Sequence, residues 1–275
     1  MSSTIERYGF PVAAAGTARV TSSHGDYYHL ICDEAEGEII ARKKKSAFMA
    51  PDAPKPTTGD FVSFRYNAQG ESMITGVLPR RSHFARRDPT AKRKEQILAV
   101  NFDTLFIMMS LNENFSLARI ARYLALAEDV GDAQVFVVLT KADLVQDAAA
   151  RAGEVEEKCG AAGRVLAVSA KSGAGMDEIR ALAAPGKTLA FIGSSGVGKS
   201  TLLNALAGEE WMPTQEIQEW SGKGRHTTTS RELVMLPCGA MVIDTPGIRE
   251  IGAVGERELE MAKGEATHRW RKKQG

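Results

Sequence analysis

Cysteine is scarce in this chain: only Cys32, Cys159 and Cys238 occur, odd in number and scattered. That excludes a disulfide framework and suits a reducing compartment. No Cys-x-x-Cys pair is present, so the ligand spacing of a zinc site is missing. Long apolar runs are lacking as well. None approaches the roughly 20 residues needed to cross a bilayer. The Phe10–Ala15 patch, preceded by Glu6 and Arg7, is too brief for a signal-peptide core. A cytoplasmic protein with no membrane partner is expected. Charge of one sign is not in excess either: 35 Lys and Arg against 34 Asp and Glu leave a net charge of +1. Any nucleic-acid contact must therefore rest on local basic patches.

What is present is an ordinary globular composition, 43% hydrophobic and 25% charged over 275 residues, enough for one large or two moderate domains. From Thr17 to Val77 short apolar-alternating runs are separated by turns such as Ser23-His24-Gly25-Asp26 and Thr58-Gly59-Asp60. Several short strands at this spacing predict a small β-barrel of the OB type. From Pro79 to Lys94 the apolar pattern stops and arginines and lysines dominate, which reads as a linker.

Beyond it, strands alternate with helices. Buried-strand runs are expected at Thr104–Ser110, Gln134–Leu139, Val165–Val168 and Thr188–Ile192, with helices at Leu117–Glu128, Ala148–Cys159, Met176–Leu182 and Ser200–Ala207. Two more strands follow at Leu233–Leu236 and Ala240–Ile243. The alternation predicts a mostly parallel sheet covered on both faces. The fold class is thus α/β, an N-terminal small OB-like β-barrel followed by a P-loop domain. The divisions fall at 1–85, 86–255 and 256–275, the last a basic tail.

Gly193-Ser194-Ser195-Gly196-Val197-Gly198-Lys199-Ser200 matches G-x-x-x-x-G-K-[ST] in full, after an apolar strand and before a helix that continues with Thr201. Loop amides and the helix N-terminus can receive phosphate charge. Lys199 can reach the β/γ-phosphates and the Ser200 hydroxyl can ligate Mg²⁺. The base is chosen elsewhere. Thr140-Lys141-Ala142-Asp143 ends the second buried strand. An Asp there can accept from the guanine N1–H and N2–H₂, a donor pair that adenine lacks. In isolation Asp143 could equally be a helix N-cap. Ser169-Ala170-Lys171 ends the third strand and would support the guanine O6 through its backbone. Asp244-Thr245-Pro246-Gly247 ends the last strand, offering a Mg²⁺-side Asp244 and a γ-phosphate-sensing Gly247. The loop Gly222-Lys223-Gly224-Arg225-His226-Thr227-Thr228-Thr229 could complete the Mg²⁺ shell with Thr228 or Thr229.

Conventional GTPases run P-loop, switch Thr, DxxG, [NT]KxD, SAK. Here TKAD and SAK precede the P-loop, so the motifs are circularly permuted. With this order, GSSGVGKS, the linker Leu78-Pro79-Arg80-Arg81-Ser82, GKGRHTTT and DTPG, the sequence resembles the bacterial ribosome small-subunit-dependent GTPase A family from about Thr17 to Glu250. The resemblance implies a GTP hydrolase using GTP/GDP and Mg²⁺. It also implies a monomer that binds the small ribosomal subunit and its rRNA in late subunit maturation, with hydrolysis stimulated by the subunit. A GTP-gated rRNA-binding module with negligible hydrolysis is the alternative reading. The family usually carries a zinc-binding domain after DTPG. None of the three cysteines lies there, so no zinc ligand cluster is evident. Ile248 follows DTPG where many GTPases place a water-orienting Gln, and the resemblance favours His226 for that role; a plain exposed loop histidine is the competing reading. RNA contact is expected at the barrel through Tyr27, Tyr28, Arg42, Lys43, Lys44, Lys45, Phe48 and Arg65, and through the linker and tail basic residues.

Overall fold

The computed structural model describes residues 3–11, 15–50, 53–87, 95–209 and 232–244. The chain opens with a single helical turn, α1 (Thr4–Arg7), closed by a capping box between Ser3 and Glu6. Five strands then form the predicted barrel: β1 (Thr17–His24), β2 (Tyr27–Cys32), β3 (Glu38–Lys43), β4 (Phe61–Arg65) and β5 (Ser72–Val77). Their order β1-β2-β3-β5-β4 is closed by pairing of β1 with β4. Inward residues Val20, Leu30, Ala41, Val62 and Ile74 are fully buried and fill the lumen.

The stretch read as a linker contains a strand. β6 (His83–Arg87) pairs antiparallel with β7 (Glu95–Val100), and neither strand was anticipated. Phe84, the single large apolar side chain among the basic residues, is 1% exposed and packs into the main core with Leu98 and Ala99. Charge count hid the strand because one inward aromatic anchors it.

The α/β part then runs as expected: β8 (Thr104–Ser110), α2 (Leu117–Leu126), β9 (Gln134–Thr140), α3 (Ala148–Cys159), β10 (Val165–Ala167), α4 (Met176–Leu182), β11 (Thr188–Ile192), α5 (Lys199–Ala207), β12 (Glu232–Met235) and β13 (Met241–Asp244). The sheet order is β10-β9-β8-β11-β13-β12, all parallel except β12. Every residue of β8 and β11 is buried, as strands covered on both faces require. One face carries Ile107, Ile120 and Tyr123, the other Phe106, Phe191, Leu202 and Leu203. The barrel and this sheet are continuous, because Ser22 on β1 pairs with Glu232 on β12. Among the described residues, no helix is long and apolar enough to cross a membrane.

Candidate functional site

Five parallel strands, β8, β9, β10, β11 and β13, end at one edge of the sheet. From β8 the chain winds outward through β9 to β10, whereas from β11 it winds the other way to β13 and β12. The crevice between the carboxyl ends of β8 and β11 is therefore a topological switch point, where open α/β sheets bind ligands. The loop 193–198 sits there. A Cβ on Gly193 would lie 2.9 Å from the Met108 carbonyl oxygen of the neighbouring strand, so only glycine lets the loop lie this close. Gly198 holds a φ of 97°, turning the chain into α5. Lys199, Ser200 and Thr201 form that helix's first turn, whose amides can donate to an anion. Ser194, Ser195 and Gly196 form the rim of the loop, and Val197 is buried beneath it.

Thr140 links this loop to the turn Lys141-Ala142-Asp143. Its hydroxyl donates to the Val197 carbonyl oxygen at 2.5 Å. Lys141 is one of two non-glycine residues with positive φ among those described, at 59°. Such backbone is rare in a long side chain and collects at functional sites. It swings Ala142 and Asp143 out of the strand. Ala142 N donates to Val168 O at 3.1 Å, which pins the turn to the end of β10.

Ser169 then does something the motif alone did not reveal. Its side chain, 1% exposed, donates to Asp143 Oδ1 at 2.6 Å and accepts from Ser172 N at 3.1 Å. The motif by itself predicts only a backbone role toward O6 for Ser169, Ala170 and Lys171. That donated bond, with lesser help from Lys171 and Lys141, holds the Asp143 carboxyl below its ordinary range. Asp143 is thus fixed in orientation and kept ionised, ready to accept two donors.

A pH test follows. Because the folded pKa is depressed, affinity for a guanine nucleotide should stay level through the ordinary aspartate range and fall only at more acid pH. Ser169→Ala should weaken GDP binding by about tenfold and move the acid limb to higher pH, as measured by titration with a fluorescent GDP analogue across pH. An unshifted limb would argue against this role.

Of the residues expected to hold Mg²⁺, Ser200 lies on the first turn of α5, and β13 delivers the Asp244 backbone beside β11 through the pairing of Ala190 with Ile243. His226, Thr228, Thr229 and Gly247 lie outside the described residues, as does the tail 256–275. Among the described residues, no group of three His, Cys, Asp or Glu is placed to hold a metal ion.

The basic and aromatic residues nominated for RNA separate into two groups. Tyr27 is 41% exposed, with the Arg42 guanidinium 4.2 Å above its ring, and Lys45 and Arg65 are exposed. Tyr28 is 4% exposed and belongs to the barrel core, and Phe48 packs against that core, so neither presents a stacking face. Arg80 is also withdrawn. It grips the fully buried Asp60 carboxylate through Nε and Nη2, both at 2.8 Å. Linker composition had marked it as a phosphate contact.

A family model described as RsgA GTPase matches residues 77–254. The chain is 41% identical over 233 residues to a protein of Lactiplantibacillus plantarum named small ribosomal subunit biogenesis GTPase RsgA 2, covering 85% of this chain and 65% of that one. It is 40% identical over 258 residues to small ribosomal subunit biogenesis GTPase RsgA 1 of Listeria innocua, covering 90% and 71%. The chain thus spans about two thirds of the length of these relatives. Among solved structures it is similar to YjeQ from Thermotoga maritima, with a TM-score of 0.61 and 26% identity over 84% of this chain and 74% of that one. It also shares the fold of YloQ, described as a circularly permuted GTPase, with a TM-score of 0.54 and 19% identity over 84% and 70%.

Proposed function

The chain belongs to the RsgA GTPase family, and from that premise we propose that it binds and hydrolyses GTP while engaged with the small ribosomal subunit during subunit maturation. The relatives' names carry the subunit and the assembly role. The observation that carries the nucleotide reading is the shared sheet edge. There the loop 193–198, which needs glycine at 193 to lie against β8, the Thr140 bridge and the Ser169-held Asp143 carboxylate meet.

Asp143 accepts from the guanine base, and the loop amides with Lys199 take the phosphate charge, leaving the γ-phosphoryl group at the mouth of the switch-point crevice. Ser200 and Asp244, joined by Thr228 or Thr229, are the residues that would hold Mg²⁺, which when bound offsets charge on the β- and γ-phosphates. Phosphoryl transfer of this kind depends mostly on positioning and electrostatic stabilisation. The attacking water needs an orienting group, and Ile248 cannot supply one. His226 takes that part in the subunit-bound protein. The exposed Tyr27, Arg42, Lys45 and Arg65 offer rRNA a stacking and phosphate-contacting face. The protein acts as a monomer in the cytoplasm.

Steady-state GTP turnover with and without purified small subunits tests the reading. Stimulation of roughly 10³-fold or more is expected, within the range of trans-activated GTPases. His226→Ala should abolish most of that stimulation while leaving GDP affinity within about twofold of wild type. Turnover unchanged by subunits would favour a GTP-gated binding module, and full stimulation of His226→Ala would remove the histidine from the mechanism.

A further inference from the structure

Arg19 is the largest fully buried side chain described in the molecule. Among the described residues no carboxylate forms an ion pair with it. Its donors go to backbone carbonyl oxygens instead: Nη2 to Asn101 at 3.0 Å, Nε to Gly59 at 3.4 Å and Nη1 to Tyr8 at 2.5 Å. Nη1 also lies 3.3 Å from Met241 Sδ, and the guanidinium stacks 4.8 Å from the Phe61 ring centroid. Burial pushes the group down to about 9, against the pull of Asp103 and Asp60, so it still carries its charge at neutral pH.

These partners come from separate pieces of the chain. Tyr8 caps α1, Gly59 turns into barrel strand β4, Asn101 forms the left-handed turn between β7 and β8, and Met241 begins β13. The contact is close on all sides. A Cβ at Gly59 would meet Val100 O at 2.7 Å and Ile243 Cδ1 at 3.1 Å. Asn101 reinforces the junction, donating from Nδ2 to Gly59 O at 3.2 Å and accepting from Arg81 N at 2.9 Å. Burying a cation without an anion is costly, and an apolar side chain of similar volume is often the more stable choice. What the arginine supplies in return is a fixed geometry among four segments.

We propose that Arg19 is a positioning residue that locks the barrel onto β13, the strand that delivers Asp244, so that the barrel and the nucleotide site open as one thermodynamic unit. The inference relies on the nucleotide reading above only for the ligand that probes it. If the two parts open together, a ligand held solely at the sheet edge must slow opening of the distant barrel by the same factor.

Native-state hydrogen exchange on the full chain measures this, with GDP at 100 times the dissociation constant of each variant. In the wild-type protein the most protected amides of β1 and β2 should exchange about 100-fold more slowly with GDP, matching those of residues 199–203. In Arg19→Met the slowing should persist at 199–203 and drop below about threefold in the barrel. Arg19→Lys, which keeps the charge but loses the fork, should fall between the two and carries the test if the methionine variant does not fold. A merely structural arginine would lower stability everywhere and leave the 100-fold coupling intact. Barrel slowing in either variant equal to wild type would overturn the proposal, as would a wild-type barrel indifferent to GDP while 199–203 are protected.

Discussion

Asp143→Asn should lower affinity for GDP and GTP by roughly 10³-fold and raise affinity for the xanthine nucleotides. The carboxylate offers two acceptors to the guanine N1–H and N2–H₂. Each hydrogen bond to a charged group is worth about 1.5–3 kcal/mol, and the amide keeps one acceptor without its charge and turns the other into a donor, so weakening one bond and losing the other costs on the order of 10²–10⁴-fold. The asparagine amide places a donor against a donor, whereas the carbonyl at C2 of xanthine accepts from it. Because Ser169 donates to Asp143 Oδ1 at 2.6 Å, the replacement must also satisfy Ser169, and the amide can do so through its oxygen. Competition binding with guanosine and xanthosine diphosphates measures the exchange of preference. Undiminished GDP affinity would show that the base is read elsewhere.

Arg80→Met should be the most destabilising single change outside the nucleotide site. Asp60 is fully buried, and burial holds its carboxyl above the usual range even though Arg80 donates twice. Arg80 itself is raised by the pair. Both values rise, with opposite meaning: burial disfavours the Asp60 carboxylate, whereas the bonds that the partly exposed arginine donates to Asp60 favour its charged form. Removing the arginine leaves a buried carboxylate without its cation, which costs about 3 kcal/mol at neutral pH. For a chain of this size that lowers Tm by roughly 6–10 °C. The sign with pH follows from the raised folded pKa. The penalty is present while Asp60 is ionised and fades as pH falls through that pKa, so the variant should regain stability on the acid side. Asp60→Asn combined with Arg80→Met should recover most of the loss. Thermal unfolding of the three proteins at two pH values is sufficient, and a single variant as stable as the double would contradict the account.

Sequence pattern located the parts built from local signals. The helix Ala148–Cys159 and the strand Thr188–Ile192 have the bounds that periodicity predicted, since apolar runs and flanking glycines mark them without help from tertiary contacts. The P-loop and TKAD stand out because their patterns occupy contiguous residues. Interactions between distant residues do not. Nothing near Arg19 in the sequence marks it as buried, because its partners lie up to 222 positions away. Ser169 was visible as part of a motif, but its bond to Asp143 spans 26 positions and depends on the left-handed Lys141. Phe84 and Arg80 show the same limit in opposite senses. A basic stretch hid an inward aromatic, and an arginine that looked destined for phosphate turned inward to a carboxylate.

The place of β13 between β11 and β12 has a consequence for synthesis on the ribosome. Chains emerge N-terminus first, and units fold as they appear. The barrel and strands β8 to β10 can assemble early, so the residues proposed to read the base take shape before residues 193–198 exist. When β11 arrives it pairs with β8 on one side only, and its other edge stays bare until residues 241–244 follow. Through that interval a nascent chain carries an open, mostly apolar strand edge of the kind that recruits foreign strands. Translational pauses between about residues 192 and 244 are where this chain is most exposed to misassembly.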